Sequence, residues 1–354
     1  MDVTRIAVAG AGQIGQRHIE MIGRMPDRAV LVAIADPSDA SIDLARCMGV
    51  SHHHRLPDLI SGGGVDGVVI ASPNPLHVEQ ALSCVAAGLP AMVEKPIAHT
   101  LADAWRLCEA SEAGRVPVLV GHHRRHSAII DTAVKVVASG ALGRIVAVSG
   151  TALFCKPEVE GYFDGAYRWR REPGGGPILL NMIHEISNLR ALCGEIVAVQ
   201  AFTSNATRGF AVEDSAAISF RFESGALGTF VLSDTAASDR SWEHTSGEDP
   251  RFNPGHTNRD DCYLIAGTMG SLAIPTMRLQ RYRDESSRSW HQPLVESAIA
   301  LEAVDPLERQ MAHFVDVIRG RATPLVSARD GTRNLQVVEA IAEAARSGRQ
   351  VELG

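Results

Sequence analysis

The sequence predicts a doubly wound α/β domain with a parallel sheet, followed by an α+β domain built on an antiparallel sheet. Three observations carry that prediction. Short apolar strand-like runs alternate with Ala/Leu-rich, helix-prone segments through the first third of the chain. After Gly143 the strand-like runs become β-branched and aromatic, with apolar and polar side chains alternating. Of 17 aromatic residues, Trp105 alone precedes position 154, which marks a change of architecture along the 354 residues. A chain of this length exceeds what one core usually organises, so two domains are expected.

Residues 5–9 (RIAVA) are an apolar run ending in glycine, after which Ile14, His18, Met21, Ile22 and Met25 recur at helical intervals. The pattern repeats. Residues 29–35 (AVLVAIA) read as a buried strand, and 38–48 as a helix that Ser38 is placed to cap. Further buried runs at 66–71, 90–93 and 117–120 are separated by helix-prone segments at 76–87 and 101–113. Strands this uniformly apolar belong to a parallel sheet covered on both faces. That domain ends near residue 122, giving domains 1–122 and 123–354.

In the second domain, residues 144–150, 196–204, 216–222 and 226–233 read as strands, with a hairpin turn at Glu223-Ser224-Gly225. Ser219, Arg221 and Glu223 alternate with Phe220 and Phe222, the pattern of an antiparallel sheet with one wet face. A polar, turn-rich segment at 238–261 precedes strand-like runs at 263–265 and 267–274. Two helices, 305–319 and 331–346, end the chain and are expected to pack back toward the first domain.

Composition excludes whole classes. With 21% charged and 45% apolar residues the chain is too apolar for disorder. A net charge of −7 leaves no basic excess, so neither nucleic acid nor an anionic membrane surface is expected as the main partner. No stretch approaches the roughly 18 apolar residues of a membrane span. The N-terminal residues run straight into a strand without a visible secretory signal. Six scattered cysteines without a C-x-x-C pair read as reduced thiols, and the expected location is the cytoplasm.

Gly10-Ala11-Gly12-Gln13-Ile14-Gly15 lies between the first strand and the first helix. There Gly10 permits a tight turn, Gly12 lets the backbone approach a pyrophosphate, and Gly15 lets helix and strand pack closely. Backbone N–H groups at the helix start, at Gln13 and Ile14, then face the anion. Asp36 ends the second strand 21 residues after Gly15. Its carboxylate can accept hydrogen bonds from both ribose hydroxyls and repels a 2′-phosphate, so NAD is expected rather than NADP. The alternative is a glycine turn that binds nothing.

Ser72-Pro73-Asn74-Pro75-Leu76-His77 follows the strand-like run at 66–71 and Glu94-Lys95-Pro96 closes the one at 90–93, both at the carboxyl ends where open α/β sheets bind ligands. Lys95 there can place positive charge beside a reacting oxygen. Glu94 and Lys95 read equally well as a surface ion pair.

These segments, with Trp169-Arg170, Gly174-Gly175-Gly176 and His184, resemble the Gfo/Idh/MocA oxidoreductases over nearly the whole chain. The resemblance implies a Rossmann domain followed by a large, mostly antiparallel sheet, whose open face often forms homodimers or homotetramers. It implies cofactor contacts from Ser72, Asn74, His77, Glu94 and Lys95. Trp169 and Arg170 are implied to approach the nicotinamide end, with Trp169 shielding the reaction path from water. His123 stands where the family usually has an asparagine, which makes it a substrate-side residue with a less certain cofactor contact. His184 occupies the position of the family's catalytic histidine. Four residues earlier, where the family has an aspartate, this chain has Leu180, with Asn181 next to it. On a regular helix Asn181 still reaches the same cleft as His184, but it cannot stabilise an imidazolium by charge.

The resulting expectation is oxidation of a sugar, polyol or inositol hydroxyl. His184 acts as acid/base, Lys95 stabilises the alkoxide, and Asn181 and Arg170 orient substrate oxygens. Two alternatives stay open: an NAD-dependent glycosidase working by oxidation, elimination and reduction, and a non-catalytic NAD-binding sensor, motivated by Leu180. No metal is expected. His52-His53-His54 lacks acidic or cysteine companions, and Asp260-Asp261 lacks the ordered oxygen ligands of a calcium site. Arg168, Arg170 and Arg171 either recognise a substrate carboxylate or phosphate or pair with Glu158, Glu160, Asp164 and Glu172.

Overall fold

The computed structural model describes residues 3–158, 161–249, 260–302 and 304–354. Strand and helix alternate through β1 (Thr4–Ala9), α1 (Gln13–Gly23), β2 (Ala29–Ala35), α2 (Asp39–Met48), β3 (Ser51–His53) and α3 (Leu56–Gly62). The alternation continues through β4 (Gly67–Ile70), α4 (His77–Ala86), β5 (Ala91–Glu94), α5 (Leu101–Gly114) and β6 (Val118–Gly121). Next come α6 (Ala128–Ala138), β7 (Ile145–Leu153), α7 (Ile183–Cys193), β8 (Ile196–Ser204), β9 (Ser215–Phe222) and β10 (Leu227–Ser233). The chain ends with α8 (Trp242–Thr245), β11 (Tyr263–Gly267), β12 (Gly270–Ile274), β13 (Arg278–Arg281) and β14 (Val295–Ala298), then α9 (Pro306–Ile318), α10 (Ala328–Ser347) and β15 (Val351–Glu352). Among the described residues, no helix is long and apolar enough to cross a membrane.

Two compact units result. One comprises Met1–His126 with Asp305–Leu335, the other Ser127–Val304 with Gln336–Gly354. The first unit is a Rossmann fold, a six-stranded sheet in the order β3-β2-β1-β4-β5-β6 with every pairing parallel. Every residue of β4, β5 and β6 is buried, as strands covered on both faces must be. The strand order reverses between β1 and β4, and such a switch point opens a crevice at the carboxyl ends.

The return of the chain explains why this unit extends beyond residue 122. Leu307, Met311, Phe314 and Val315 of α9 lie in one core with Ile6, Val8, Met21, Ile22 and Ile34. The absent Cβ of Gly67 leaves room for Ile318, whose Cδ1 lies 2.5 Å from where that atom would stand.

In the second unit nine strands run in the order β14-β13-β12-β11-β7-β10-β9-β8-β15, antiparallel except for β7 beside β10. Inward residues of β9 and β10 (Ile218, Phe220, Phe222, Phe230 and Leu232) share a core with Ile130 of α6, Ile186 and Leu189 of α7, and Ile341 of α10. Their neighbours along the strands point outward, and Val146, Phe202, Leu227, Val231 and Leu264 are exposed on that face.

Some local expectations change. Ser38 does not cap α2 with its side chain; its hydroxyl donates to Asp36 instead, at 2.6 Å. The run at 267–274 breaks at a turn, so β12 begins at Gly270. Strands β13, β14 and β15 went unread because they lie at or beside the sheet's edges, with few buried positions and no apolar alternation. Of the polar segment 238–261, residues 250–259 lie outside the described residues.

Phe314→Ala should lower the unfolding free energy by about 3–5 kcal/mol, the cost of deleting a fully buried aromatic ring. Urea denaturation measures this, and a loss under about 1 kcal/mol would mean that α9 is not part of the core.

Candidate active site

At the carboxyl ends of β1 and β4 the chain packs as closely as backbone allows. Gly10 has φ 92°, and a Cβ there would stand 2.5 Å from the Ser72 nitrogen. A Cβ on Gly15 would stand 2.0 Å from the Gly10 carbonyl oxygen. Gly12 differs, since a Cβ there meets nothing within 4 Å. The first two glycines are required by the fold, and the third leaves open space beside the loop. No side chain caps α1, so the N–H groups of its first turn have no side-chain acceptor at the cap.

Asp36 ties this loop to β2. Its Oδ2 accepts the Ala11 N–H at 2.8 Å, and its Oδ1 accepts the Ser38 N–H and hydroxyl at 2.8 and 2.6 Å. Burial opposes ionisation, yet the hydrogen bonds from Ala11, Ser38 and Ser41 hold the carboxyl below its usual range. A carboxylate has about four acceptor positions, and with three taken by Ala11 and Ser38, while the Ser41 hydroxyl lies against the Asp36 and Ser38 carbonyls, one position remains for a ribose hydroxyl. An open backbone cradle, uncapped helix donors and an ionised acid at the end of β2 together fit a dinucleotide.

The loop after β4 is braced from within. His77 is buried, its Nδ1 2.8 Å from the Pro96 carbonyl and its Nε2 2.8 Å from the Ser72 carbonyl. Burial pushes its pKa down against the pull of those two carbonyls. Lying between the two carbonyls, His77 joins the loops after β4 and β5, with one ring N–H to donate in its neutral form. Ser72 donates its hydroxyl to Gln80 at 2.7 Å, and Asn74 opens the short turn Asn74–Leu76, half-buried.

Glu94 also departs from expectation. It is not a surface ion-pair member, being only 7% exposed. Its Oε1 lies 2.8 Å from His18 Nε2, and its Oε2 accepts the Lys95 N–H at 3.2 Å. Burial raises its pKa, but the hydrogen bond and charge of His18, then the charges of His123 and Lys95, hold it below the usual range. Gly121 on the neighbouring strand makes room, since a Cβ there would stand 2.8 Å from Glu94 Oε1. Glu94 thus gathers His18, His123 and Lys95 at the ends of β5 and β6, with Lys95 and His123 half-buried. Sequence reasoning missed His18 as a partner and read it only as part of the apolar face of α1. Its place three residues after Gly15 was the available signal.

The second unit holds the remaining candidates. Trp169 is 40% exposed in the short helix Gly165–Arg171. The Arg170 guanidinium is stacked 4.0 Å from the Tyr162 ring centre and 4.2 Å from that of Tyr167, and donates to the Tyr162 carbonyl at 3.0 Å. Its neighbours pair locally, Arg171 with Asp164 and Arg168 with Glu172 at 3.6 Å. Glu158 pairs with Arg208 at 2.8 Å, and Glu160 lies outside the described residues.

The segment leading to His184 is not the regular helix expected. Ile178–Met182 forms a π-turn before α7, and such turns re-aim side chains by widening the helical spacing. Asn181 accepts the Lys156 ammonium at 2.6 Å through its Oδ1, while His184 lies buried in the first turn of α7. Glu213 secures the approach, its Oε1 accepting the Ile178 N–H at 2.8 Å beside Gly176, where a Cβ would stand 2.6 Å from that oxygen. Sequence reasoning missed both Lys156 and Glu213, because each reaches this helix from a distant segment.

The sites set aside are structural. His52 Nε2 lies 2.9 Å from the Ser41 hydroxyl and 3.0 Å from the Asp36 carbonyl, and Asp261 accepts the Thr276 N–H and hydroxyl at 3.0 and 2.7 Å. Among the described residues, no group of three or more His, Cys, Asp or Glu could hold a metal.

Comparison with known proteins matches residues 4–122 to an oxidoreductase family with an NAD-binding Rossmann fold, and residues 130–273 to the GFO/IDH/MocA C-terminal domain. The chain belongs to the Gfo/Idh/MocA family. It is an NAD(P)-dependent oxidoreductase. Among other Gfo/Idh/MocA proteins, it is 28% identical to the rhizopine catabolism protein MocA of Rhizobium meliloti, over 96% of this chain and 94% of that protein. It is 25% identical to the scyllo-inositol 2-dehydrogenase (NAD(+)) of Bacillus subtilis, over 99% and 96%. The WlbA dehydrogenase of Bordetella pertussis, solved with NADH and UDP-GlcNAcA, shares the fold with a TM-score of 0.78 at 24% identity, covering 100% of this chain and 99% of that one.

Gly12→Ala and Gly15→Ala separate binding from folding. Gly12→Ala should keep the wild-type Tm and lose tenfold or more in NAD affinity by calorimetry, because its methyl enters the open cradle. Gly15→Ala should lower the Tm itself. A Gly12→Ala protein with wild-type NAD affinity would remove the loop from the cofactor site.

Proposed function

We propose that this Gfo/Idh/MocA enzyme oxidises a hydroxyl-bearing carbon of a sugar, polyol or inositol, or reduces the corresponding carbonyl, with NAD as partner. The observation that carries the reading is Lys95, a half-buried cation at the carboxyl end of β5, in the charge set gathered by Glu94. The names of the relatives support the substrate class: an inositol dehydrogenase, a 1,5-anhydro-D-fructose reductase and a D-apiose dehydrogenase are among them.

A nicotinamide cofactor, when bound, supplies the hydride acceptor. Gly10, Gly12, Gln13, Ile14 and Gly15 hold its pyrophosphate, Asp36 its ribose hydroxyls, with Ser72, Asn74 and the Lys95 ammonium lining the remainder. Asp36, held ionised, disfavours a 2′-phosphate and so selects NAD over NADP. His184 takes the substrate hydroxyl proton as the C–H bond breaks, and Lys95 stabilises the negative charge that develops on that oxygen. Trp169, Arg170, His123 and Asn181 complete the substrate surroundings. The stack that holds Arg170 between Tyr162 and Tyr167 fixes its guanidinium before substrate arrives.

The exposed apolar side chains on the outer face of the nine-stranded sheet, with Phe202 at 75% exposure, support a homodimer or homotetramer formed through that face. Free thiols at Cys47, Cys84, Cys108, Cys155 and Cys193 support a reducing, cytoplasmic setting.

Steady-state NAD reduction against pentoses, hexoses, inositols and anhydrosugars tests the reading, with Lys95→Ala and His184→Ala beside the wild type. Each variant should lose about 10²–10³ in kcat, the usual cost of removing one transition-state donor or acid/base. Near wild-type turnover by either variant removes that residue from the chemistry. Aryl-glycoside hydrolysis without net NADH would identify a glycosidase, and NAD binding without turnover a sensor.

A further inference from the structure

We propose that Lys156 and Asn181 form a donor pair that selects substrates carrying a carboxylate. The proposal rests on the reading of the chain as a sugar or polyol oxidoreductase and narrows its substrate to sugar acids.

Lys156 follows β7, and its side chain is only 10% exposed. An ammonium has three hydrogens to place. One goes to Asn181 Oδ1 at 2.6 Å, while the nearest carboxylate, Asp234, stands at 3.7 Å, an ion pair beyond hydrogen-bond reach. The rings of Phe154 and Tyr162, centred 5.5 and 4.9 Å away, add attraction through their faces but no acceptor atom.

The surrounding acids are engaged elsewhere. Asp234 Oδ1 accepts Arg208 Nε at 2.9 Å, and Glu158, largely exposed, takes Arg208 Nη1 at 2.8 Å. Asp214 accepts the Thr207 and Arg208 N–H groups, both at 2.9 Å, and the Ser215 hydroxyl at 2.8 Å. Glu213 accepts the Ile178 N–H, and burial pushes its carboxyl up toward the neutral form. Donors on Lys156 therefore outnumber the acceptors offered to it.

Asn181 extends this imbalance. Its carbonyl oxygen is held by Lys156, which fixes the amide and leaves both hydrogens of its NH₂ group to donate, and the residue is half-buried with access to solvent. Asn181 stands three residues before His184 on one continuous helical segment. With Asp234 Oδ1 and Glu213 Oε1 occupied and Asp234 Oδ2 held only at ion-pair distance, the hydrogens left on Lys156 and Asn181 match a group that only accepts. A carboxylate is such a group, whereas a hydroxyl needs an acceptor for its own proton. The bond to Asn181 sets the direction of the amide, which is why the two residues act as a pair.

The test compares uronic and aldonic acids with their neutral aldoses and alditols, using the NAD-loaded enzyme. Wild type should favour the acid of each matched pair by tenfold or more in kcat/KM. Lys156→Met and Asn181→Leu should each shrink that ratio at least tenfold through KM, and Lys156→Arg should retain most of it. A wild-type preference for neutral sugars overturns the proposal, as does an unchanged ratio in Lys156→Met. Calorimetry with the same sugars in the presence of NAD separates this proposal from the parent reading. Acid binding that Lys156→Met abolishes, without turnover of any sugar, would sustain the pair and sink the oxidoreductase reading. Equal or absent binding of acids and neutral sugars would sink the pair. NAD affinity and Tm of the variants establish that they are folded.

Discussion

Backbone contact between the glycine loop after β1 and the end of β4 is the constraint on which the first unit depends. Gly10 and Gly15 have no space for a Cβ, and the Asp36 carboxylate holds the loop through the Ala11 N–H. With that contact made, α1 starts at the carboxyl end of β1 without a side-chain cap. The same packing presents Ser72, whose carbonyl meets His77, and His77 in turn reaches the Pro96 carbonyl beside Lys95. Placement of the lysine thus follows from the loop by a short chain of contacts. A larger side chain at Gly10 or Gly15 would displace all of them together.

Charge within this unit is arranged around one buried carboxylate. Glu94 faces His18, His123 and Lys95, and its ionised form is favoured by them despite burial. A cation at the carboxyl end of β5 is thus coupled to a buried carboxylate. The second unit uses a different device. Its buried charges centre on Arg208, which binds Asp234, Glu158 and the Lys156 carbonyl. Stacking and hydrogen bonding within residues 161–171 fix Arg170 and Arg171, and Arg208 joins them through the Phe163 ring, centred 4.7 Å from its guanidinium.

Much of this was legible in the sequence, for physical reasons. Buried parallel strands are continuous apolar runs, so β1, β2, β4, β5 and β6 were visible, and Phe220 and Phe222 announced the alternation of β9. The glycine loop and Asp36 could be read because their spacing is set by local geometry. Edge strands β13 to β15 carry little burial and hence little pattern. The hydrogen bonds of His77 and Glu94 within the fold were not legible because they join segments far apart in the sequence. Lys156 and Glu213 were invisible because β7 and the loop before β9 bring them to the His184 helix from 28 and 29 residues away. The π-turn at Ile178–Met182 has no local signature that periodicity detects.

The central claim is direct hydride transfer between a hydroxyl-bearing carbon and the nicotinamide. Incubating the enzyme with NAD and the substrate deuterated at that carbon, then weighing the recovered nucleotide by mass spectrometry, tests it most directly. The account predicts one deuterium on each reduced nicotinamide and an equal amount of oxidised sugar. Unlabelled nucleotide, or deuterium found on a released sugar with no net NADH, would contradict it.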